Sequence, residues 1–326
     1  KKLILILEEN PLIEDIELVG NTKISNDDLI SKIQLKSGQV FDSNIARKDI
    51  SAIEEAYTDQ GYLFSKVRKI DVPSTESKDL IFYIEESKIG EITVSGNTKT
   101  KEYVILREID INSGDAVNQN ELKKNLHRLF NLNYFSEVVP DVRPSVTTPN
   151  TYDLGIQVTE KSTDSVNLGG GWGQQSGGFL YTDLNINNLF GTGQLVSLKG
   201  QWGSNLQTYQ FKYHNPWMFG ERKSLTFRSW NTRGNFGYNN LVTSGYRPEV
   251  RYGTDLAIGI PHSYEVRSNH KVRVEKVVVT DEAYEYTIQS YTYGLSYDTR
   301  DVRANPLNGH YYVGSVENGF KLRSDS

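Results

Sequence analysis

The feature that most constrains the fold of this chain is an internal repeat in its first half. Segment 13–21 (IEDIELVGN) recurs 76 positions later as segment 89–97 (IGEITVSGN). The glycine that follows in the first copy, Gly38, recurs at the same spacing as Gly114. Self-similarity at a fixed period indicates consecutive copies of one structural unit.

Each copy is predicted to fold as β-α-α-β-β. Apolar and polar residues alternate in the first strand, which Gly20-Asn21 ends because both residues tolerate positive φ. Ser25 can cap the first helix, and apolar residues at helical spacing predict a second, longer helix. In the first copy these elements are predicted over residues 13–19, 26–33, 43–60, 64–72 and 80–85.

The repeat also predicts how the chain divides into domains. Residues 1–9 align with the end of the first copy, so we expect them to be the last strand of a preceding copy. The predicted organisation is a terminal strand at 1–9, one repeat domain at 10–86, a second at 87–161 and a third region at 162–326.

The third region has a different pattern, with alternating apolar and polar residues and no convincing helix. Turn signals rich in Gly, Asn and Pro separate the alternating segments. About nine strands without helices indicate a sandwich or a barrel. The predicted strands cover residues 165–173, 178–188, 194–203, 207–217, 223–232, 248–260, 265–280, 285–299 and 310–321.

Two observations favour a membrane barrel over a sandwich. Aromatic residues cluster near the strand ends, as they do in the interfacial girdles of outer-membrane barrels. Turn lengths also alternate, since 191–193 is short whereas 231–247 is predicted to be a long polar loop. The mean hydropathy of −0.53 is compatible with either a barrel or a soluble protein.

Composition and motifs exclude several other classes. The chain has no cysteine, which excludes disulfides and cysteine-based metal sites, and its net charge of −5 gives a nucleic-acid partner no electrostatic support. No apolar run approaches the length of a membrane-spanning helix. The five histidines show no metal-ligand spacing, and no nucleophile motif is present. We therefore expect no enzyme activity, no cofactor and no metal.

The two repeats resemble POTRA domains. The first shared mark is the Ile-x-x-Ile-x-x-x-Gly-Asn core, followed by the Gly38 and Gly114 turns. Corners at Gly61-Tyr62 and 133–135 complete the likeness. The residues of the two cores are Ile13, Ile16, Gly20 and Asn21, and Ile89, Ile92, Gly96 and Asn97.

The third region resembles the opening of a BamA-superfamily barrel. The resemblance rests on turn motifs that follow one another in the family order, of which segment 188–194 (NLFGTGQ) is the most specific. The family's barrels have more strands, so we expect only about the first nine here. The motif residues are Asn188, Leu189, Phe190, Gly191, Gly193, Asn215, Pro216, Asp298, Arg300 and Asp301.

The resemblance implies a fold, a location and a function. The implied fold is α+β POTRA repeats followed by an antiparallel transmembrane β-barrel, in the outer membrane with the repeats in the periplasm. The implied function is folding and insertion of nascent barrel proteins. The implied partners are unfolded outer-membrane clients, periplasmic chaperones or accessory assembly subunits, and lipid.

Free strand edges in the repeats are the first candidate sites, because an unfolded strand can add to an unpaired edge. The same segments could equally be ordinary solvated strands, and their charges also blunt edges against aggregation. The candidate residues are Ser65, Lys66, Val67, Arg68 and Lys69 in the first repeat and Ser136, Glu137, Val138 and Val139 in the second.

The first barrel strand is the second candidate site. Its glycines have no side chains to pack, so we expect weak pairing and a seam that opens sideways, as the family resemblance implies. The alternative is that the glycines only let the sheet bend. The residues concerned are Val166, Leu168, Gly169, Gly170, Gly171, Trp172 and Gly173.

Other interpretations stay open at the turns and for the whole chain. Segment 188–194 is predicted to be a plain periplasmic turn rather than a partner contact. Asp298, Arg300 and Asp301 either position an inward-folding loop or are surface turn charges. The rival functions are a two-partner-secretion transporter that exports one dedicated protein, a passive porin or surface receptor, and a soluble periplasmic scaffold.

Overall fold

The computed structural model describes residues 10–74, 77–173, 177–239, 244–281, 284–303 and 305–321. The strand predicted at 1–9 lies outside these residues. Contacts divide the chain into two compact units. The first consists of Lys1–Gly96, Leu106–Leu129 and Val138–Val158, and the second of Asn97–Ile105, Phe130–Glu137 and Thr159–Ser326.

The first repeat has the predicted β-α-α-β-β order. Its sheet has the strand order β1-β3-β2, with β1 parallel and β2 antiparallel to the central strand. Ile53, Tyr57 and Phe82 are almost completely buried in its core. The elements are β1 (Ile16–Val19), α1 (Asn26–Lys32), α2 (Ser43–Asp59), β2 (Lys66–Asp71) and β3 (Leu80–Glu85).

The first strand and first helix of this repeat are shorter than predicted. Ile13 is fully buried, but its backbone bonds to Gln39 and Gly38 rather than to the sheet, so β1 begins only at Ile16. The helix ends at Lys32 because the buried Asp49 carboxylate accepts hydrogen bonds from the backbone N–H groups of Gln34 (2.7 Å) and Leu35 (3.0 Å). These bonds hold the following residues in extended structure.

The second repeat has the same element order and the equivalent sheet order β4-β6-β5. Asn125 occupies the position equivalent to Asp49 and accepts a bond from the Asp110 N–H (2.9 Å). Leu129 and Ile156 are fully buried. The elements are β4 (Lys88–Ser95), α3 (Glu102–Leu106), α4 (Gln119–Asn131), β5 (Phe135–Pro144) and β6 (Thr151–Glu160).

The Gly-Asn motif of the repeats has a steric explanation. Gly20 and Gly96 have φ of +95° and +84°. A Cβ atom would lie 2.2 Å from the Ile84 carbonyl oxygen at Gly20 and 2.1 Å from the Val158 carbonyl oxygen at Gly96. No other residue fits, because each glycine combines left-handed backbone with direct contact against the last strand of its repeat.

The described residues between Ser165 and Lys321 form a nine-stranded antiparallel sheet in which each strand pairs with its sequence neighbour. The predicted strand count and order are therefore present. The strands are β7 (Ser165–Gly173), β8 (Gly177–Leu189), β9 (Gln194–Gly203), β10 (Leu206–Asn215), β11 (Ser224–Asn239), β12 (Ser244–Pro261), β13 (Val266–Val279), β14 (Tyr284–Asp298) and β15 (Tyr311–Lys321).

The long polar loop predicted at 231–247 is mostly strand. β11 and β12 continue as a paired hairpin in which Phe236 lies opposite Arg247. The Arg251 guanidinium of β12 lies over the Phe236 ring of β11 (4.1 Å), and Glu249 forms ion pairs with Arg247 and Arg251 along its own strand (both 2.6 Å). The glycines and asparagines suggested a loop, but cross-strand contacts outweigh their weak strand preference.

The two faces of this sheet differ in polarity, as the alternation predicted. Directly paired residues share a face, so register defines rows across the strands. One row of the apolar face contains Val196, Tyr213, Phe227, Leu256, Val272 and Tyr291. The polar row, which crosses all nine strands, contains Ser165, Asn185, Ser197, Lys212, Arg228, Asp255, Arg273, Ser290 and Gly319.

Candidate functional site

The predicted candidate edge of the first repeat is at the outside of its sheet, but it is partly obstructed. Ser65 is buried just before β2, and the register shifts between Val67 and Lys69. The Val67 N–H already donates to the Glu54 carboxylate (3.1 Å). A bulge and an occupied amide are features that discourage pairing with another strand.

Charged side chains on β2 bind their own neighbours. Arg68 pairs with Glu85 (2.8 Å) and Lys69 with Asp71 (2.6 Å), while Lys66 is exposed. The hydrogen bond from Lys69 lowers the pKa of the Asp71 carboxyl. These exposed pairs contribute little stability, so their main effect is to keep the edge charged.

The candidate edge of the second repeat is longer and carries a different obstruction. β5 is the outer strand of its sheet and has ten residues, with Ser136, Glu137 and Val139 exposed and Val138 half-buried. Pro140 lies in the middle of this strand and has no N–H to donate to a partner. An added strand could therefore pair fully with only part of β5.

Among the described residues, the first strand of the large sheet is one of its two edge strands, and β15 is the other. β7 pairs with β8 on one side, and no described strand covers its other side. On the apolar face, Val166, Leu168 and Trp172 are 66%, 77% and 78% exposed. Unlike the candidate edges of the repeats, this strand has neither a charged side chain nor a proline.

The glycines of β7 accommodate aromatic rings from β8. Gly169 lies opposite Tyr181 and Gly171 opposite Phe179, all on the polar face. A Cβ atom on Gly169 would be 2.5 Å from the Tyr181 ring, and one on Gly171 would be 3.1 Å from the Phe179 ring. A side chain at position 169 would require the Tyr181 ring to move, and one at position 171 would fit only tightly against the Phe179 ring. Gly170 faces the other side, and Gly173 pairs with Gly177 at the strand end.

The turn at 188–194 is more than a plain turn, because it binds the loop that follows Gly96. Asn188 is buried and donates from Nδ2 to Thr100 Oγ1 (2.8 Å), while its Oδ1 accepts from the Gly193 N–H (2.8 Å). The Lys101 N–H donates to the Gly191 carbonyl oxygen (2.9 Å).

Backbone conformation explains why this turn has its residues. Asn188, Phe190, Gly191 and Gly193 all have positive φ. A Cβ atom on Gly191 would lie 1.9 Å from the Lys99 carbonyl oxygen. Phe190 is 79% exposed and Leu189 pairs with Gln194. The motif therefore encodes a strained turn shaped to receive residues 99–101.

The same loop is held by Glu160, a residue that the sequence analysis did not single out. Its carboxylate accepts hydrogen bonds from the N–H groups of Lys99 (2.8 Å) and Thr100 (2.6 Å) and from Thr98 Oγ1 (2.6 Å). Burial alone would raise the pKa of Glu160, but the hydrogen bonds lower it to about 2. The carboxylate is therefore ionised in any ordinary medium.

The first repeat contains an equivalent contact between a glutamate carboxylate and the N–H groups of a loop. Glu86 accepts from the N–H groups of Thr22 (2.7 Å) and Lys23 (2.8 Å), and also from the Tyr57 hydroxyl (2.8 Å). Burial raises the pKa of Tyr57, and its hydrogen bond to Glu86 adds to that rise. The sequence does contain a signal for this contact. Each repeat has one Gly-Asn-Thr-Lys loop and ends in a glutamate.

The remaining motif residues lie at the ends of β10 and β14 and in the turns that follow these strands. The side chain of Asn215, which precedes Pro216, accepts a hydrogen bond from the Trp217 N–H (3.1 Å). Asp298 binds Arg300 (2.7 Å) and Arg303 (3.4 Å). Asp301 accepts from the N–H groups of Val302, Leu307 and Asn308. These carboxylates are already engaged within their own turn, as expected of structural turn charges.

In the described part of the chain, no group of three or more His, Asp or Glu side chains is placed to hold a metal ion. No helix there is long and apolar enough to cross a membrane.

Comparison with known proteins agrees with this architecture. The POTRA family model (surface antigen variable number repeat) matches residues 11–87 and 87–161, and the Omp85 superfamily domain model matches 188–326. A Treponema pallidum protein with the provisional name outer membrane protein assembly factor is 32% identical over 77% of this chain, which spans 30% of that protein.

Two solved structures show the same fold. BamA from Haemophilus ducreyi lacking POTRA domains 1–3 matches with a TM-score of 0.59 and 16% identity, covering 97% of this chain and 64% of that one. CdiB from Escherichia coli matches with a TM-score of 0.63 and 11% identity, covering 95% and 59%. The predicted fold class is confirmed, and the outer-membrane location with periplasmic repeats is that of the homologues. With two POTRA repeats followed by an Omp85 domain, the chain belongs to the Omp85 superfamily.

Proposed function

We propose that this protein folds nascent β-barrel proteins and inserts them into the outer membrane by pairing with their strands. The observation that carries the proposal is the free edge of β7 at the end of a nine-stranded sheet with one apolar face. An incoming strand can hydrogen-bond to this edge and continue the sheet, so its backbone groups are satisfied before they meet lipid. The process needs no catalytic residue or cofactor.

The repeat edges support a weaker, transient role in the same process. β2 and β5 are outer strands, but the bulge, the Glu54 contact and Pro140 limit how far a client strand can pair. Pairing over only a few residues binds an unfolded client weakly, so the client can be released again. The proposed partners are unfolded barrel clients, periplasmic chaperones or accessory subunits, and outer-membrane lipid.

The homologues support assembly or transport rather than enzyme chemistry. The superfamily consists of non-enzymatic assembly or transport proteins, and the Treponema relative is named for assembly. A second candidate, export of one dedicated protein by two-partner secretion, is favoured by the fold likeness to CdiB. The two functions differ in how many proteins depend on the chain.

Depletion in the native bacterium separates the two functions. We expect loss of the full-length protein to lower the level of all outer-membrane barrels and to leave unfolded precursors in the periplasm. Loss of one secreted protein with barrels unchanged would instead establish the two-partner transporter.

A crosslinking experiment tests the role of β7 directly. Because the chain has no cysteine, Leu168→Cys on β7 can be compared with Leu198→Cys on β9, which is also exposed on the apolar face. A client with a cysteine in its last strand should form a disulfide with position 168 during insertion and not with position 198. Equal crosslinking at both positions would contradict strand pairing at β7.

A further inference from the structure

The polar face of the large sheet contains a lysine without an acidic partner. Lys212 lies in the polar row between Ser197 and Arg228. Its cationic neighbours are paired: Arg228 binds Asp255 through two contacts (3.1 and 2.5 Å), and Lys199 binds Asp183 (3.4 Å). Among the residues that the structure describes, no carboxylate pairs with Lys212.

Ser197 supplies a second, independent observation. Its side chain is only 3% exposed, and its Oγ atom has no hydrogen-bond partner in the described structure. Both Ser197 and Lys212 line a cavity of about 310 Å³, together with Lys199, Gln210, Thr226 and Arg228. This volume is at the lower end of the range for ligand pockets, which is about 300–1,000 Å³.

Neither feature is favourable without a ligand. A buried hydroxyl without a partner costs free energy, and a half-buried ammonium beside a guanidinium is repelled by it. Three cations and two carboxylates meet here, so one positive charge is uncompensated. An anion that accepts hydrogen bonds would both neutralise the excess positive charge and accept the hydroxyl hydrogen of Ser197.

We propose that this cavity is an oxyanion-binding site, formed by Ser197, Lys212 and Arg228. The ligand is a phosphate or carboxylate group. Lys212 supplies the positive charge, and Ser197 donates its hydroxyl hydrogen. Arg228 donates an N–H group that is not used in its ion pair with Asp255. Because the polar face of an outer-membrane barrel lines its interior, the site lies on the lumen wall.

Two sources can supply such a group. One is a free oxyanion from the medium, and the other is a carboxylate side chain of a protein segment that enters the lumen. The chemistry of the site is the same in both cases, but only the first source makes stability depend on added phosphate. The site is independent of the proposed assembly function.

The test uses the full-length protein purified in detergent and inorganic phosphate as the probe. Thermal unfolding is followed against phosphate concentration at constant ionic strength, with chloride as the replacement anion. Lys212→Met removes the central charge. Lys223→Met is the matched control, because Lys223 is a partly exposed lysine in the turn before β11 that pairs with Glu221.

With a free oxyanion as ligand, Tm rises saturably with phosphate in the wild type and in Lys223→Met, and the rise is lost in Lys212→Met. Lys212→Arg should retain the response, and Ser197→Ala should raise the half-saturating concentration about tenfold. A response that persists in Lys212→Met would overturn the site.

With a protein carboxylate as ligand, phosphate has no effect, and Lys212→Met lowers Tm below that of Lys223→Met, while Lys212→Arg preserves it. If phosphate has no effect and Lys212→Met is as stable as the control or more stable, the lysine is simply uncompensated and the proposal is wrong.

Discussion

At the scale of single residues, the decisive groups are carboxylates and glycines that hold backbone rather than perform chemistry. Glu86 and Glu160 each satisfy several N–H groups of a Gly-Asn-Thr-Lys loop. Gly169 and Gly171 leave room for two rings. Such positions tolerate little change, because an unsatisfied buried donor or a steric clash costs more than a typical surface contact contributes.

Replacing Glu160 with glutamine should loosen the loop at 97–101. The neutral amide accepts hydrogen bonds less strongly than a carboxylate, and a bond to a charged group contributes about 1.5–3 kcal/mol. We expect amide hydrogen exchange of Thr98, Lys99 and Thr100 to become about 10–100 times faster, measured by mass spectrometry. Glu137→Gln, at an exposed position, is the control and should leave these rates unchanged.

Replacing Gly169 with valine should disturb the β7–β8 pair, because the new side chain meets the Tyr181 ring. We expect faster amide exchange in β7 and impaired insertion of clients. The double variant with Tyr181→Ala removes the ring and should restore much of the pairing. If the single valine variant instead slows exchange in β7, the ring does not occupy the space above the glycine.

At the scale of elements, the three candidate edges differ in how well they are protected. β2 has a bulge and paired charges, β5 has Pro140, and β7 has neither charge nor proline. Exposed edges are normally blunted against aggregation, so an unblunted edge indicates a strand that has a use or a partner. The assignment of client binding to these edges stays a prediction.

Replacing Pro140 with valine should make β5 a better template for strand addition. The substitution restores an N–H and favours extended backbone, so the two-repeat segment 10–161 should self-associate. Analytical ultracentrifugation would detect dimers or larger species. Pro149→Val, in the turn before β6, is the control and should stay monomeric, and a monomeric Pro140→Val would show that the proline is not what protects β5.

At the scale of the whole molecule, both repeats depend on ionised carboxylates in the same structural position. The pKa of Glu86 is lowered, and that of Glu160 is lowered to about 2 from an ordinary value of 4.5. A carboxylate with a lowered pKa stabilises the fold fully above its ordinary pKa and loses that contribution as pH falls through its lowered value.

We therefore expect the repeats to lose stability as pH falls below about 4.5 toward about 2. Thermal unfolding of the wild type at neutral and acidic pH would show this fall. In the variant with both Glu86→Gln and Glu160→Gln, stability should be lower at neutral pH and should change less with acid. An equal acid response in both proteins would mean that other carboxylates dominate.

Sequence alone predicted the repeat units, the strand count of the large sheet and its two faces, because these follow from local periodicity. It could not predict the bonds between residues distant in the chain. Asn188 and Thr100 are 88 positions apart, and Thr98 and Glu160 are 62 apart. The polar row around Lys212 also depends on the register of all nine strands, because a slip of one residue would move the side chains of a strand to the opposite face.

The sequence by itself determined the order and type of the elements, since alternation, helical spacing and turn residues act over a few neighbours. Only the tertiary structure decided what those residues contact: that the 188–194 turn receives a loop, that β7 glycines lie beneath aromatic rings, and that β11 and β12 extend through a stretch that looked like a loop. The physical reason is that packing and pairing energies arise between segments that no local pattern relates.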